Sequence, residues 1–185
     1  MRNALFAAAA AAVLSAGQPV LAQDQAPAAA TTAVQANPAD VESIEAILAA
    51  VYDVISGDAG QARDWDRFRS LFHPSARLIP TGIRPSGEAV ASFASPEDYI
   101  TRSGPALMQG FHEKSIADRV ERFGHIAHVW STYEARRQAD DAEPMLRGIN
   151  TFQLWNDGQR WWVMNILWQA ESDAYPIPAE YLPPQ

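Results

Sequence analysis

Glu113 is the acid in this sequence best placed to do chemistry. It stands near the start of a long alternating run, in Phe111-His112-Glu113-Lys114, where a strand follows a helix. Set in an apolar cavity, a glutamate has its pKa raised toward neutrality and can serve as general acid or base. On the surface it would pair instead with Lys114 or an arginine. His73 lies in Leu71-Phe72-His73-Pro74, where a short helix hands over to a strand. An imidazole at a cavity rim there would suit proton transfer, and its competing role is to cap helix carbonyls. Ser131, Tyr133, Asn150 and Asn165 could offer hydroxyl and amide groups that orient a small molecule among aromatic walls such as Tyr52, Trp65 and Phe68. The same groups could equally form a satisfied polar network in a solid core.

Composition excludes much else. There is no cysteine, so disulfides, thiolate metal sites, a cysteine nucleophile and an acylated lipoprotein cysteine are all ruled out. His125 and His128 are three apart on a strand and face opposite sides, and no His-Glu-x-x-His pattern occurs, so no metal site is expected. No Gly-x-Ser-x-Gly elbow presents a nucleophile, and no cofactor is expected. With a net charge of −8 and no run of Lys or Arg, nucleic acid and anionic membranes are poor partners.

The elements that must position these residues follow from punctuation and period. Residues 1–22 read as a signal peptide: Arg2 supplies the positive charge, Ala4 to Leu14 an apolar run too short to span a bilayer, and Val20-Leu21-Ala22 the cleavage pattern. An exported protein, periplasmic or secreted and without a stable membrane anchor, is expected. Residues 23–37, built of Ala, Gln, Thr and Pro, read as a disordered linker. The domain is expected over 38–172, followed by a Pro-rich tail over 173–185. A long helix should start near Asn37-Pro38, with Asp40 as the competing cap. It carries Val41, Ile44, Ile47, Leu48, Val51, Val54 and Ile55 on one face. A short helix through Trp65, Phe68 and Phe72 should stop before His73-Pro74. A strand over Ala76 to Ile83 follows, at an edge or a bulge because of Pro80. Ser95 caps a third helix that Gly104-Pro105 should break. Strands over Phe111 to Glu121 and Ile126 to Arg136 come next.

The last hairpin, Arg147 to Glu171, turns at Asp157-Gly158, a strong signal for a two-residue type I′ turn. Asn156 would then face Gln159, Asn150 would face Asn165, and Arg147 would face Trp168. Arg147 on Trp168 and Arg160 on Trp155 would be cation–π stacks. If the polar loop before Leu146 has its midpoint near Asp140-Asp141, Ser131 pairs with Asn150, which gathers Ser131, Tyr133, Asn150 and Asn165 on one face. The other face, with Ile149, Ile166 and Trp168, would meet a second subunit through a two-fold homodimer. Helices followed by a strand meander mean an α+β fold, with helices packed on one face of a curved mixed or antiparallel sheet.

The chain resembles the nuclear transport factor 2-like superfamily, also called SnoaL-like or ketosteroid-isomerase-like. The resemblance rests on Leu71-Phe72-His73-Pro74-Ser75-Ala76-Arg77-Leu78 after the second helix, on Gly124-His125-Ile126-Ala127-His128-Val129 and on Asp157-Gly158-Gln159-Arg160-Trp161-Trp162-Val163. It covers Pro38 to Ser172. It implies a cystatin-like cone, three N-terminal helices on a curved sheet with a pocket between. Members include isomerases, dehydratases, epoxide hydrolases, cyclases and non-catalytic binding or assembly modules. The isomerase base implied by the resemblance would fall near Pro80, and no Asp or Glu occurs between His73 and Arg84. The expectation is therefore a domain that binds a small, mainly apolar molecule near Tyr52, Trp65, Phe68, Ser131, Tyr133, Asn150 and Asn165. The alternatives are a cofactor-independent dehydratase, isomerase or hydrolase using Glu113 or His73, and a non-catalytic assembly module.

Overall fold

The computed structural model describes residues 34–184. The signal peptide expected over 1–22, and most of the linker expected over 23–37, lie outside them.

Two side-chain caps divide the expected first helix. Asn37 Oδ1 accepts from Ala39 N–H at 3.2 Å and starts α1 (Pro38–Val41), and Ser43 Oγ accepts from Ala46 N–H at 3.0 Å and starts α2 (Ile44–Ile55). A serine hydroxyl offers the backbone an alternative to an interior helical position, so the run breaks there. The apolar repeat nevertheless lies on one face, and Val41, Ile44, Ile47, Leu48, Val51, Val54 and Ile55 are all buried. After β1 (Gly57–Ala59), Asp64 caps α3 (Trp65–Leu71), and β2 (Phe72–Ile83) begins at once, earlier than the expected Ala76. β3 (Ala89–Ala91) is short.

Ser95 and Asp98 form the expected reciprocal capping box at the start of α4 (Pro96–Leu107), but Gly104-Pro105 does not break it. Pro105 sits in the last turn, where its missing N–H costs one hydrogen bond and no further turns depend on it. Gly104 has a packing reason of its own, since a Cβ there would stand 3.3 Å from the Trp65 ring.

The remaining strands are β4 (Gln109–Phe123), β5 (Ile126–Arg136), β6 (Leu146–Asn156) and β7 (Trp161–Ala170), in a seven-stranded sheet of order β1-β4-β5-β6-β7-β2-β3. β4 to β7 form an antiparallel meander, and β2 joins β7 in parallel, so the sheet is mixed. Among the described residues four α-helices rather than three accompany it. The main core lies between α2, α3 and the sheet face carrying Val129, Phe152, Leu154, Trp161 and Val163.

Register decides what that face presents. Ser131 pairs with Asn150, as the loop midpoint implied. In the last hairpin Asn156 pairs with Trp161 rather than Gln159, so the loop is the four residues Asp157 to Arg160. The Asp157 carboxylate accepts from Gln159 N–H at 2.8 Å, Arg160 N–H at 2.9 Å and Trp162 Nε1–H at 2.7 Å, a local network that holds the wider loop open. A bulge then inserts Met164: Leu154 pairs with Val163, whereas Gln153 pairs with Asn165. Beyond it the alternation is reversed from the expected one. Ile166 and Trp168 turn into the cone, and Asn165 faces away, opposite Arg77 of β2. The expected pairing of Asn150 with Asn165 and the outer placement of Ile166 and Trp168 are therefore corrected, with Asn150 pairing Trp168. The cation–π partners change too. Arg160 lies 3.6 Å over Trp162, and Arg147 pairs with Glu171 at 2.8 Å.

The outer sheet face is partly covered by the chain's own Pro-rich end. Thr132 Oγ1 donates to Tyr181 O at 2.6 Å, Ile177 N–H donates to the Glu171 carboxylate at 3.0 Å, and the Tyr181 ring lies 5.2 Å from that of Trp130.

Candidate functional site

The concave face and the helices enclose a cavity of about 450 Å³. Phe68 from α3, Phe72 and Leu78 from β2, Tyr99 and Leu107 from α4, and Ile166 and Trp168 from β7 give it apolar walls. Phe68 and Tyr99 stack with ring centroids 5.4 Å apart. Tyr133 lines one wall, and Gly148 on the neighbouring strand leaves room for it: a Cβ at Gly148 would stand 2.6 Å from the Tyr133 hydroxyl.

The polar inner end is built by four elements. Tyr52 comes from the last turns of α2, Glu113 from the start of β4, and Ser131 and Asn150 from paired positions on β5 and β6. Glu113 is set in place through its backbone. Its N–H donates to Ser56 Oγ at 2.9 Å, while that hydroxyl donates to Tyr52 O at 2.7 Å, which ties β4 to the end of α2.

Hydrogen-bond polarity along this end is determined by its last member. Asp118 is a carboxylate and only accepts, so Ser115 Oγ donates to it at 2.7 Å. Ser131 Oγ in turn donates to Ser115 Oγ at 3.2 Å, and the Tyr52 hydroxyl donates to Ser131 Oγ at 2.7 Å. Tyr52 oxygen is then an acceptor for Asn150 Nδ2–H at 3.1 Å, and the same amide nitrogen donates to Glu113 Oε1 at 3.0 Å. The Tyr52 proton is committed to this chain and points away from the cavity. Glu113 is left as the titrating group that faces it.

Burial pushes the Glu113 carboxyl up to about 7, and the hydrogen bond from Asn150, which favours the charged form, opposes that rise. Burial, with the Glu113 charge nearby, also raises the hydroxyls of Tyr52, Tyr99 and Tyr133, which stay neutral. Near neutral pH the cavity thus holds one carboxyl divided between its two protonation states. A second cleft, between α2 and β4, is lined by Ser56, Ser115 and Asp118 and shares Tyr52 and Glu113 with the cavity.

Of the nine residues singled out by sequence, the structure brings together Glu113, Tyr52, Ser131, Tyr133, Asn150 and Phe68. His73 does not join them. Its Nδ1 accepts from Ser75 N–H at 3.1 Å, and its ring lies edge-on to Trp155 and Trp162 at 5.9 and 6.0 Å, away from the cavity lining. His73 is not among the residues that line the cavity. Trp65 stands behind the wall, edge-on to Phe68 at 5.7 Å, and Asn165 is turned to the other face by the bulge. Sequence reasoning missed Tyr99, Ile166, Trp168, Arg102 and Arg137. Tyr99, Ser103 and Ala106 share a helix face at spacings of four and three, which could have been read. Among the described residues no group of three or more His, Asp or Glu is gathered as a metal site requires, and no helix is long and apolar enough to cross a membrane.

Comparison with known proteins bears on the fold. No protein-family model matches the chain, and no curated protein does. Among solved structures, a protein of unknown function with a cystatin-like fold from Nostoc punctiforme superposes with a TM-score of 0.52 at 12% identity, over 70% of this chain and 90% of that one. The fold is the cystatin-like cone. An NTF2-like protein of unknown function from Silicibacter pomeroyi matches with a TM-score of 0.49 at 15% identity, over 70% of this chain and 94% of that one. The cone class read from the sequence and the cone found in the structure agree. At these identities the likeness concerns the cone alone and says nothing of its chemistry.

Proposed function

We propose that this chain binds a compact, mainly apolar molecule inside the cone, with Glu113 and Asn150 meeting the ligand's polar inner end. The observation that carries this reading is the Glu113 carboxyl, raised to about 7 at the end of an apolar cavity of about 450 Å³. That volume falls in the range of small-molecule sites, in which apolar walls supply affinity and a few convergent polar groups fix orientation. A protonated Glu113 donates to a carbonyl, ether or hydroxyl oxygen. The cavity also favours binding over an assembly-only role, which would be served equally well by a filled cone.

Proton transfer is the second reading, favoured by the same carboxyl. A general acid or base works best with a pKa near the operating pH, and Glu113 could move a proton in a dehydration, isomerisation or hydrolysis. We propose further that the protein acts after export, on the pattern of Arg2, the Ala-rich run and Val20-Leu21-Ala22. A homodimer through the outer sheet face is part of the same proposal, supported by the exposure of Ile83 and Leu167 there.

The test uses Nile red, an uncharged apolar dye, with native mass spectrometry of the purified protein. Saturable dye fluorescence or a co-purifying small molecule displaced by the dye is expected. Protein that carries nothing and leaves Nile red dark contradicts the binding reading.

A further inference from the structure

The cavity is asymmetric in charge, and the asymmetry describes its ligand. At the inner end the only ionisable group beside the neutral tyrosines is Glu113. The exposed part of the lining, its mouth, lies between α4, with Arg102, and the junction of β5 and β6, with Arg137, Met145 and Leu146; Glu113 shares the register row of Ala135 and Leu146 and turns its carboxyl inward to Asn150. Among the described residues Arg102 and Arg137 are the only cations in the lining, in a chain whose 22 acidic residues outnumber its 14 Lys and Arg. Neither is held by a side-chain hydrogen bond among those residues: Arg102 makes only a long, exposed ion pair with Asp98. The Arg102 side chain is 58% exposed, with Asp98 no nearer than 3.8 Å. Arg137 is exposed and forms no ion pair among the described residues, whereas its neighbour Arg136 is held by Glu134. Most other arginines are engaged: Arg67 by Asp40 and Asp53, Arg69 by Glu97, Arg84 by Glu88, Arg147 by Glu171. Neither mouth arginine forms an ion pair with Glu113 among the described residues; the hydrogen bond to its carboxyl comes from Asn150.

Resting on the binding reading above, we infer that the ligand is an apolar monocarboxylate. Its anionic end lies at the mouth between Arg102 and Arg137, and its hydrocarbon body runs inward along Phe68, Tyr99, Ile166 and Trp168. Guanidinium groups suit a carboxylate because their paired N–H donors match its two oxygens. The reverse orientation would set the carboxylate against Glu113 in apolar surroundings. An amine would pass two arginines and, below neutrality, meet an uncharged acid.

The experiment is displacement of Nile red from the full chain at about pH 6, where Glu113 is mostly protonated, by octanoate, octanol and octylamine. Octanoate is expected to displace the dye at a concentration lower than octanol by about fivefold, the order two partly exposed ion pairs give. That preference should shrink at high salt. It should also vanish in the double variant Arg102→Gln, Arg137→Gln, which keeps its affinity for Nile red. Equal or tighter displacement by octanol or octylamine overturns the inference and leaves the cavity reading standing, as does a double variant that keeps the preference for octanoate. Failure of Nile red to bind the unaltered chain removes both.

Discussion

Asn150 divides its amide hydrogens between two acceptors, the Glu113 carboxyl at 3.0 Å and the Tyr52 hydroxyl at 3.1 Å. It is the link between the cavity's acid and the chain of hydroxyls that ends on Asp118. An amide nitrogen donates to both neighbours but does not hand a proton from one to the other, so Glu113 exchanges protons with the cavity or the α2 cleft and not through Tyr52.

Replacing Asn150 by Ala removes the hydrogen bond that favours the charged form of Glu113. The expected result is a Glu113 pKa above 7 and a stability loss of about 1–3 kcal/mol from the groups left unpaired. Carboxyl NMR and urea unfolding measure the two effects.

Glu113 also sets a pH dependence of stability. Its folded pKa of about 7 lies above its ordinary value of 4.5, so between those values the folded state holds the proton more tightly. Its contribution therefore favours the folded state at acid pH and declines as pH rises through this window, levelling off above the folded pKa. Glu113→Gln, which stays neutral, should be more stable than the unaltered chain at about pH 8 by ~1–3 kcal/mol and nearly equal to it at about pH 4. Denaturant titrations at both pH values provide the comparison. An equal difference at the two would contradict the assignment.

Tyr52→Phe separates the hydroxyl chain from the ligand site. Because the Tyr52 proton points to Ser131, Nile red affinity should change by less than about twofold, while stability falls by ~1–2 kcal/mol as Asn150 and Ser131 each lose a partner. A large loss of affinity with stability unchanged would place the Tyr52 hydroxyl on the ligand instead.

Asp157→Ala tests the loop that resets the last hairpin. The carboxylate holds Gln159, Arg160 and Trp162, and losing it should cost about 1–2 kcal/mol. Thermal unfolding reads the change.

How far this site was legible in the sequence depends on how local each signal is. The pairing of Ser131 with Asn150 followed from the midpoint of one polar loop, and the caps at Asn37 and Ser95 follow from side chains bonding within three residues. Glu113 was readable because a strand starting after a helix places its first residues beside the core. The inward turn of Ile166 and Trp168 was not readable: one inserted residue, Met164, reverses the alternation that follows it. The width of the Asp157 loop was equally hidden, since Asp-Gly is compatible with the tighter turn as well. His73 was misplaced for a different reason. A helix end fixes where the residue is along the chain, not which side of the sheet its ring takes.

The most direct test of the account is the titration of the Glu113 side-chain carboxyl by carbon-13 NMR, with Glu113→Gln to assign the resonance. A midpoint near 7 that shifts when Nile red saturates the cavity is the expected result. A midpoint near 4.5, unmoved by the dye, would contradict it.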